Sequence, residues 1–230
     1  MAVAWGELGR QCGCLVFMLA FCWLGGYDVL ARAMFESSIH AYERLSLFSA
    51  GLTMGLVLVV LHLLVLFRPQ VCKAAVAAAI ESPRAGQVLL GVDALWFLLL
   101  LVGEGWNPLR MELFSFEQLR GLLVVLTPVV WLVFARMITE NLFARALGLF
   151  FLMMAIVPMT AAFLKEPESR ILIPLWWYPV ITLSIFWVGK PFLFRDWFYA
   201  LVARPRLCRV LNGCGLLYAL ALVVCAVLFW

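Results

Sequence analysis

The chain reads as an all-α integral membrane protein, a bundle of about seven transmembrane helices with its N-terminus cytoplasmic and its C-terminus outside. Composition is the first ground. Of 230 residues, 66% are hydrophobic and 13% charged, with a mean hydropathy of +1.06, whereas a soluble domain is about 45–50% apolar and about 25% charged. Block length is the second. The apolar residues fall in runs near the ~17–25 that a helix needs to cross hydrocarbon, where only internally bonded backbone is tolerated. Positive-charge asymmetry between the connections is the third. The connections are too short for a soluble domain, so 1–230 is read as a single polytopic transmembrane domain.

In order, the blocks run from Cys14 to Leu30, Leu45 to Phe67, Gly86 to Val102, Leu119 to Ile138, Leu147 to Leu164, Ile171 to Val188 and Leu207 to Trp230. Gly25, Gly26 and Asp28 weaken the first and Asp93 the third, so six spans are the alternative count. Arg10, the apolar stretch Leu15 to Leu24 and the small residues Ala31 and Ala33 imitate a cleavable signal; the segment is read as a retained first span. Two connections carry structure of their own. Ala74 to Ile80, between Lys73 and Arg84, suits a short interfacial helix, and Phe192 to Ala203 mixes aromatic residues with Arg195 and Asp196 as headgroup-layer segments do.

Alternating the sides places Arg10, Arg68, Lys73, Arg84, Arg136, Arg145, Lys190, Arg195, Arg204, Arg206 and Arg209 together. Arg32, Arg44, Arg110, Arg120, Lys165 and Arg170 fall opposite. The richer side is expected to face the cytoplasm. Arg195, Arg204, Arg206 and Arg209 are candidate contacts for lipid headgroups or an acidic partner; ordinary positive-inside anchoring is the better reading of them. Glu140 and Asn141, with Arg136 and Arg145 close by, suit a lipid headgroup or a plain Arg136/Glu140 helix pair. A bacterial inner membrane is the expected setting.

Ionisable groups within spans are the informative residues, since each costs about 2.5–3.5 kcal/mol at a helix centre on insertion scales. Gly51, Gly55, Leu58 and His62 share one helix face, where the two glycines allow close packing. Asp93, Phe97, Leu100 and Glu104 repeat that spacing on the returning span, at a depth matching His62. His62 and Asp93 are therefore a candidate pair, able to relay protons or bind a cation; the favoured reading is that they satisfy two buried polar side chains or snorkel to the nearby interface. Asp28 and Arg32 form a candidate ion pair at the outer rim.

No cofactor is assigned. The two histidines, His40 and His62, stand twenty-two residues apart, about 33 Å along a helix, which argues against a bis-His haem within one chain. Lys73, Lys165 and Lys190 lie in connections or at span ends, which argues against a retinal Schiff base. Cys12, Cys14, Cys208 and Cys214 are weak metal-ligand candidates, because their spacing matches no strong zinc pattern; small apolar filler is the better reading.

No nucleophile elbow, phosphate loop or HExxH run occurs, so no catalytic residue is named. Three functions fit. The favoured one is a non-catalytic membrane subunit or scaffold of a larger complex. A small-solute, ion or proton-coupled carrier using His62 and Asp93 is second, and a membrane-embedded lipid-modifying enzyme third. The partners expected are the lipid bilayer and other membrane subunits, with no nucleic acid.

Overall fold

The computed structural model describes Tyr42 and residues 45–102, 111, 113–137, 140–163 and 165–230. Among these there are eight α-helices and no strand: α1 (Leu47–Phe67), α2 (Pro69–Glu81), α3 (Pro83–Leu101), α4 (Arg120–Met137), α5 (Leu142–Ala162), α6 (Leu172–Gly189), α7 (Phe192–Val202) and α8 (Pro205–Phe229). Two 3-10 turns, Phe114–Leu119 and Glu168–Ile171, lead into α4 and α6. All but α2 and α7 are long and apolar enough to cross a membrane, which gives six spans among the described residues. The chain is an all-α, multi-pass membrane protein. The span expected over Cys14 to Leu30 lies outside the described residues, as do Cys12, Asp28, Arg32 and His40.

Local chemistry sets the helix ends. Ser46 Oγ accepts the Ser49 N–H at 3.1 Å to cap α1, and Ser82 Oγ accepts the Ala85 N–H at 3.3 Å to cap α3, each satisfying a donor that the first turn leaves open. Helices α2, α3 and α8 each begin on a proline, after Arg68, Ser82 and Arg204 respectively. A residue before proline is driven out of the helical region, so each of these dipeptides turns the chain, and proline then suits the first helical position.

Helix α5 is the hub. It packs along α3, α6 and α1 and touches α2 and α7 at one end. Its buried face is built from Ala144, Ala146, Gly148, Ala155, Ala161 and Ala162. Such small residues let backbones approach in lipid, where apolarity alone gives helices no reason to associate. The approach is closest at Gly148: a Cβ built there would lie 2.8 Å from the Ser184 carbonyl oxygen of α6. Helices α1 and α8 form a second seam, with Gly55 against Ala219 and Val223. Leu47, Leu58, Ala155, Ile173, Trp177, Ala219 and Leu222 join these four spans into one apolar cluster.

Helix α4 stands apart among the described residues, because α3 is its only extensive span neighbour there and Ala135 its only buried residue. Polar clasps hold it at both ends. Gln87 Nε2 donates to the Ala135 carbonyl at 2.9 Å, while Arg120 Nη1 donates to the Leu101 carbonyl at 2.7 Å and Nη2 to that of Met111 at 2.6 Å.

The turns α1–α2–α3, α4–α5 and α6–α7–α8 gather at one end of the bundle. That end carries Arg68, Lys73, Arg84, Arg136, Arg145, Lys190, Arg195, Arg204, Arg206 and Arg209, and we call it the basic rim. At the opposite end the Trp230 indole donates to Ser169 Oγ at 2.6 Å, tying the last helix to the start of α6.

Candidate functional site

The basic rim owes its shape to the two short helices. Buried Ala144, Trp187 and Phe194 form a small core with Val76 and Ile80 of α2 and Phe143 of α5. This core docks α2 and α7 onto the start of α5 and the end of α6. The Trp187 and Phe194 rings meet edge to face, centroids 4.9 Å apart, an arrangement their quadrupoles favour. Burying Phe194 leaves its neighbour Arg195 exposed on the rim, 3.5 Å from Asp196. The Tyr199 hydroxyl reaches Glu81 of α2 at 3.5 Å.

Between the docked helices and the α4–α5 turn lie two adjoining recesses. The larger, about 580 Å³, is lined by Glu140, Asn141, Arg145 and Lys190, with Met137 and Phe192 among its apolar residues. The smaller, about 370 Å³, presents Glu81, Ser82 and Arg195 and shares Glu140 and Asn141 with the first. Asn141 adopts a left-handed conformation, φ 54°. A non-glycine residue tolerates that region at a cost, and asparagine most readily. The kink turns the chain sharply between α4 and α5 and sets residues 140 and 141 between both recesses. Arg145, one turn into α5, is half-buried; its Nη1 lies 3.5 Å from the Val188 carbonyl, and its Nε is buried without a hydrogen-bond partner among the described residues.

Glu140 and Asn141 were legible as candidates beside Arg145, but the helix pair with Arg136 is not formed: α4 ends at Met137, and Glu140 sits exposed in the turn. Lys190 was missed as a site residue. The signal for it was the break Gly189–Lys190–Pro191, which ends α6 and leaves the lysine facing the same turn.

Within the spans, the structure does not bring His62 and Asp93 together. His62 turns toward α8, where a Cβ on Gly215 would lie 2.0 Å from its Nε2. Its Nδ1 bonds to the Leu58 carbonyl at 2.7 Å, a contact in which nitrogen must be the donor. The Trp176 ring of α6 sits edge-on at 6.2 Å and stacks in turn on Tyr218 at 5.5 Å, whose hydroxyl donates to the Leu172 carbonyl. His62 is thus a packing element between α1, α6 and α8. Asp93 lies on α3 at 4% exposure, and neither carboxylate oxygen has a hydrogen-bond partner among the described residues. The expectation failed because equal depth fixes height along a helix but not azimuth. The face bearing Gly51, Gly55 and His62 meets α8 rather than α3.

Arg204, just before α8, and Arg206 and Arg209 on its first turns are exposed and lie outside both recesses. Cys208 is half-buried and in contact with the Asn212 side chain at 3.5 Å, and Cys214 is exposed; both are free thiols. Among the described residues no group of three or more His, Cys, Asp or Glu side chains could hold a metal ion. Comparison with protein-family models, curated proteins and solved structures found no match for this chain.

Proposed function

We propose that the protein is a non-catalytic subunit of a larger membrane assembly, with α4 as the arm through which it meets a transmembrane helix of another chain. The observation carrying this reading is the contrast within the bundle. Among the described residues, 6% of the apolar window of Glu117–Met137 is buried, while 33% of that of Leu142–Ala162 is. Helix α4 turns outward a ridge of Val125, Val129 and Val133 at four-residue spacing, all exposed. Such spacing stacks side chains along one helix face, the geometry that ridges-into-grooves packing uses. Polar clasps at both ends hold the ridge at a fixed height. By the positive-inside rule we place the basic rim on the cytoplasmic side. The carrier reading rests on a His62–Asp93 pair, which does not form.

The test is the native mass of the protein extracted in mild detergent. The expected result is a particle heavier than the 25.9 kDa chain by a fixed increment, reduced to the single chain when Val125 and Val129 are both replaced by Trp, whose bulk keeps a facing backbone from closing on the ridge. A wild-type particle of one chain, with thermal stability equal to that in the membrane, would defeat the proposal.

A further inference from the structure

We propose that the paired recesses at the basic rim form a binding site for the headgroup of an aminophospholipid, with the phosphate held by Arg145 and Lys190 and the ammonium by Glu140 and Glu81. The division of charge points to a zwitterion. In the larger recess two cations face one carboxylate, and in the smaller two carboxylates face one cation, with Glu140 common to both. A planar guanidinium beside an ammonium suits phosphate oxygens, because charge-assisted bonds from two directions fix a tetrahedral anion. Arg145 has donor capacity to spare at its terminal nitrogens: its Nη1 contact at 3.5 Å is long, and its buried Nε has no partner among the described residues, which leaves the guanidinium short of acceptors. Asn141 does not spend its side chain capping α5, so its amide is free to bond a headgroup.

Position and lip separate a lipid from a soluble phosphoester. The recess lies at the level where span-end arginines and interfacial aromatic residues gather, with Trp197 and Tyr199 exposed on α7 beside it. Two of its lining residues, Met137 and Phe192, are exposed apolar side chains at the ends of α4 and α7. They offer acyl chains a path from the recess into the bilayer. A volume of about 580 Å³ falls in the range of ~300–1,000 Å³ typical of small-ligand sites.

The experiment is lipid binding to the delipidated full chain by native mass spectrometry, with phosphatidylethanolamine, phosphatidylcholine and phosphatidylglycerol as probes. Phosphatidylethanolamine is expected to bind about tenfold more tightly than the other two, a factor readily resolved. Lys190→Gln, in a turn and so compatible with folding, should weaken all three lipids, and Arg145→Gln should do the same. Glu140→Gln with Glu81→Gln should erase the preference for phosphatidylethanolamine while leaving phosphatidylglycerol bound as before. Arg206→Gln, outside the recesses, should change nothing. Equal binding of the three lipids, or a preference that survives the glutamate replacements, would overturn the proposal. Displacement by soluble glycerophosphoethanolamine at concentrations equal to the lipid would overturn the assignment to a lipid.

Discussion

Helices α5 and α4 are similar in length, close in hydropathy and each interrupted by an internal proline, Pro158 and Pro128, yet one is the hub of the bundle and the other its outlier. The difference lies in side-chain size. Helix α5 buries alanines and Gly148, whereas α4 carries Leu122, Val125, Leu126, Val129 and Val133 outward. In water such a ridge would be driven into a core. In lipid it is already solvated, and close packing is decided by which backbones can approach. Internal seams here follow glycine and alanine rather than greasiness.

The largest expected effect tests that rule at the α5–α6 seam. A side chain at Gly148 meets backbone, the Ser184 carbonyl at 2.8 Å and the Val188 nitrogen at 3.3 Å, which cannot rotate away. Gly148→Val is therefore expected to destabilise the bundle by about 3 kcal/mol, near the upper end for overpacking, read as a lowered midpoint in detergent unfolding. A midpoint unchanged from wild type would show that α5 does not need its small face.

A smaller loss is expected at the α1–α8 seam, because the group facing Gly215 is the tip of the His62 ring. Gly215→Ala should cost about 1–2 kcal/mol. Pairing it with His62→Ala should recover about 1 kcal/mol of that loss, the coupling that residues in direct contact show. Strict additivity in the double-mutant cycle would mean that the ring and the glycine do not press on each other.

Asp93 sharpens the contrast from within α3. Asn keeps the shape of the side chain and removes a carboxylate from a span where charge is expensive, so Asp93→Asn is expected to leave stability equal to wild type or slightly higher. A drop of more than about 1 kcal/mol would reveal a partner that uses the carboxylate. The smallest effect belongs to the outlier: Val129→Ala in the isolated chain should shift stability by less than about 0.5 kcal/mol, as exposed substitutions do.

The helix layout is largely legible in the sequence, whereas the contrast between hub and outlier is not. The predicted block Leu45 to Phe67 became Leu47–Phe67, and Leu119 to Ile138 became Arg120–Met137, because charges and X-Pro steps mark where lipid-compatible chain ends. The two rim segments expected to be interfacial did form α2 and α7, for the same reason that mixed aromatic and charged residues suit neither core nor solvent. The small face of α1 was also readable, but its partner was not. Sequence adjacency suggested α3, and α2 intervenes between them while α8 supplies the matching Gly215 and Ala219. The recess at Asn141 was half legible: its charged residues stand close in sequence, but the left-handed turn that brings Lys190 beside them has no signature beyond the asparagine itself.

The most direct test of the account is photo-crosslinking in the native membrane from an unnatural residue placed at Val129 of α4, with Ala155 of α5 as the internal control. Since Val129 is half-exposed and Ala155 buried, the account expects a protein adduct of one discrete mass from position 129 and none from 155. Adducts from position 129 that contain lipid alone would contradict it.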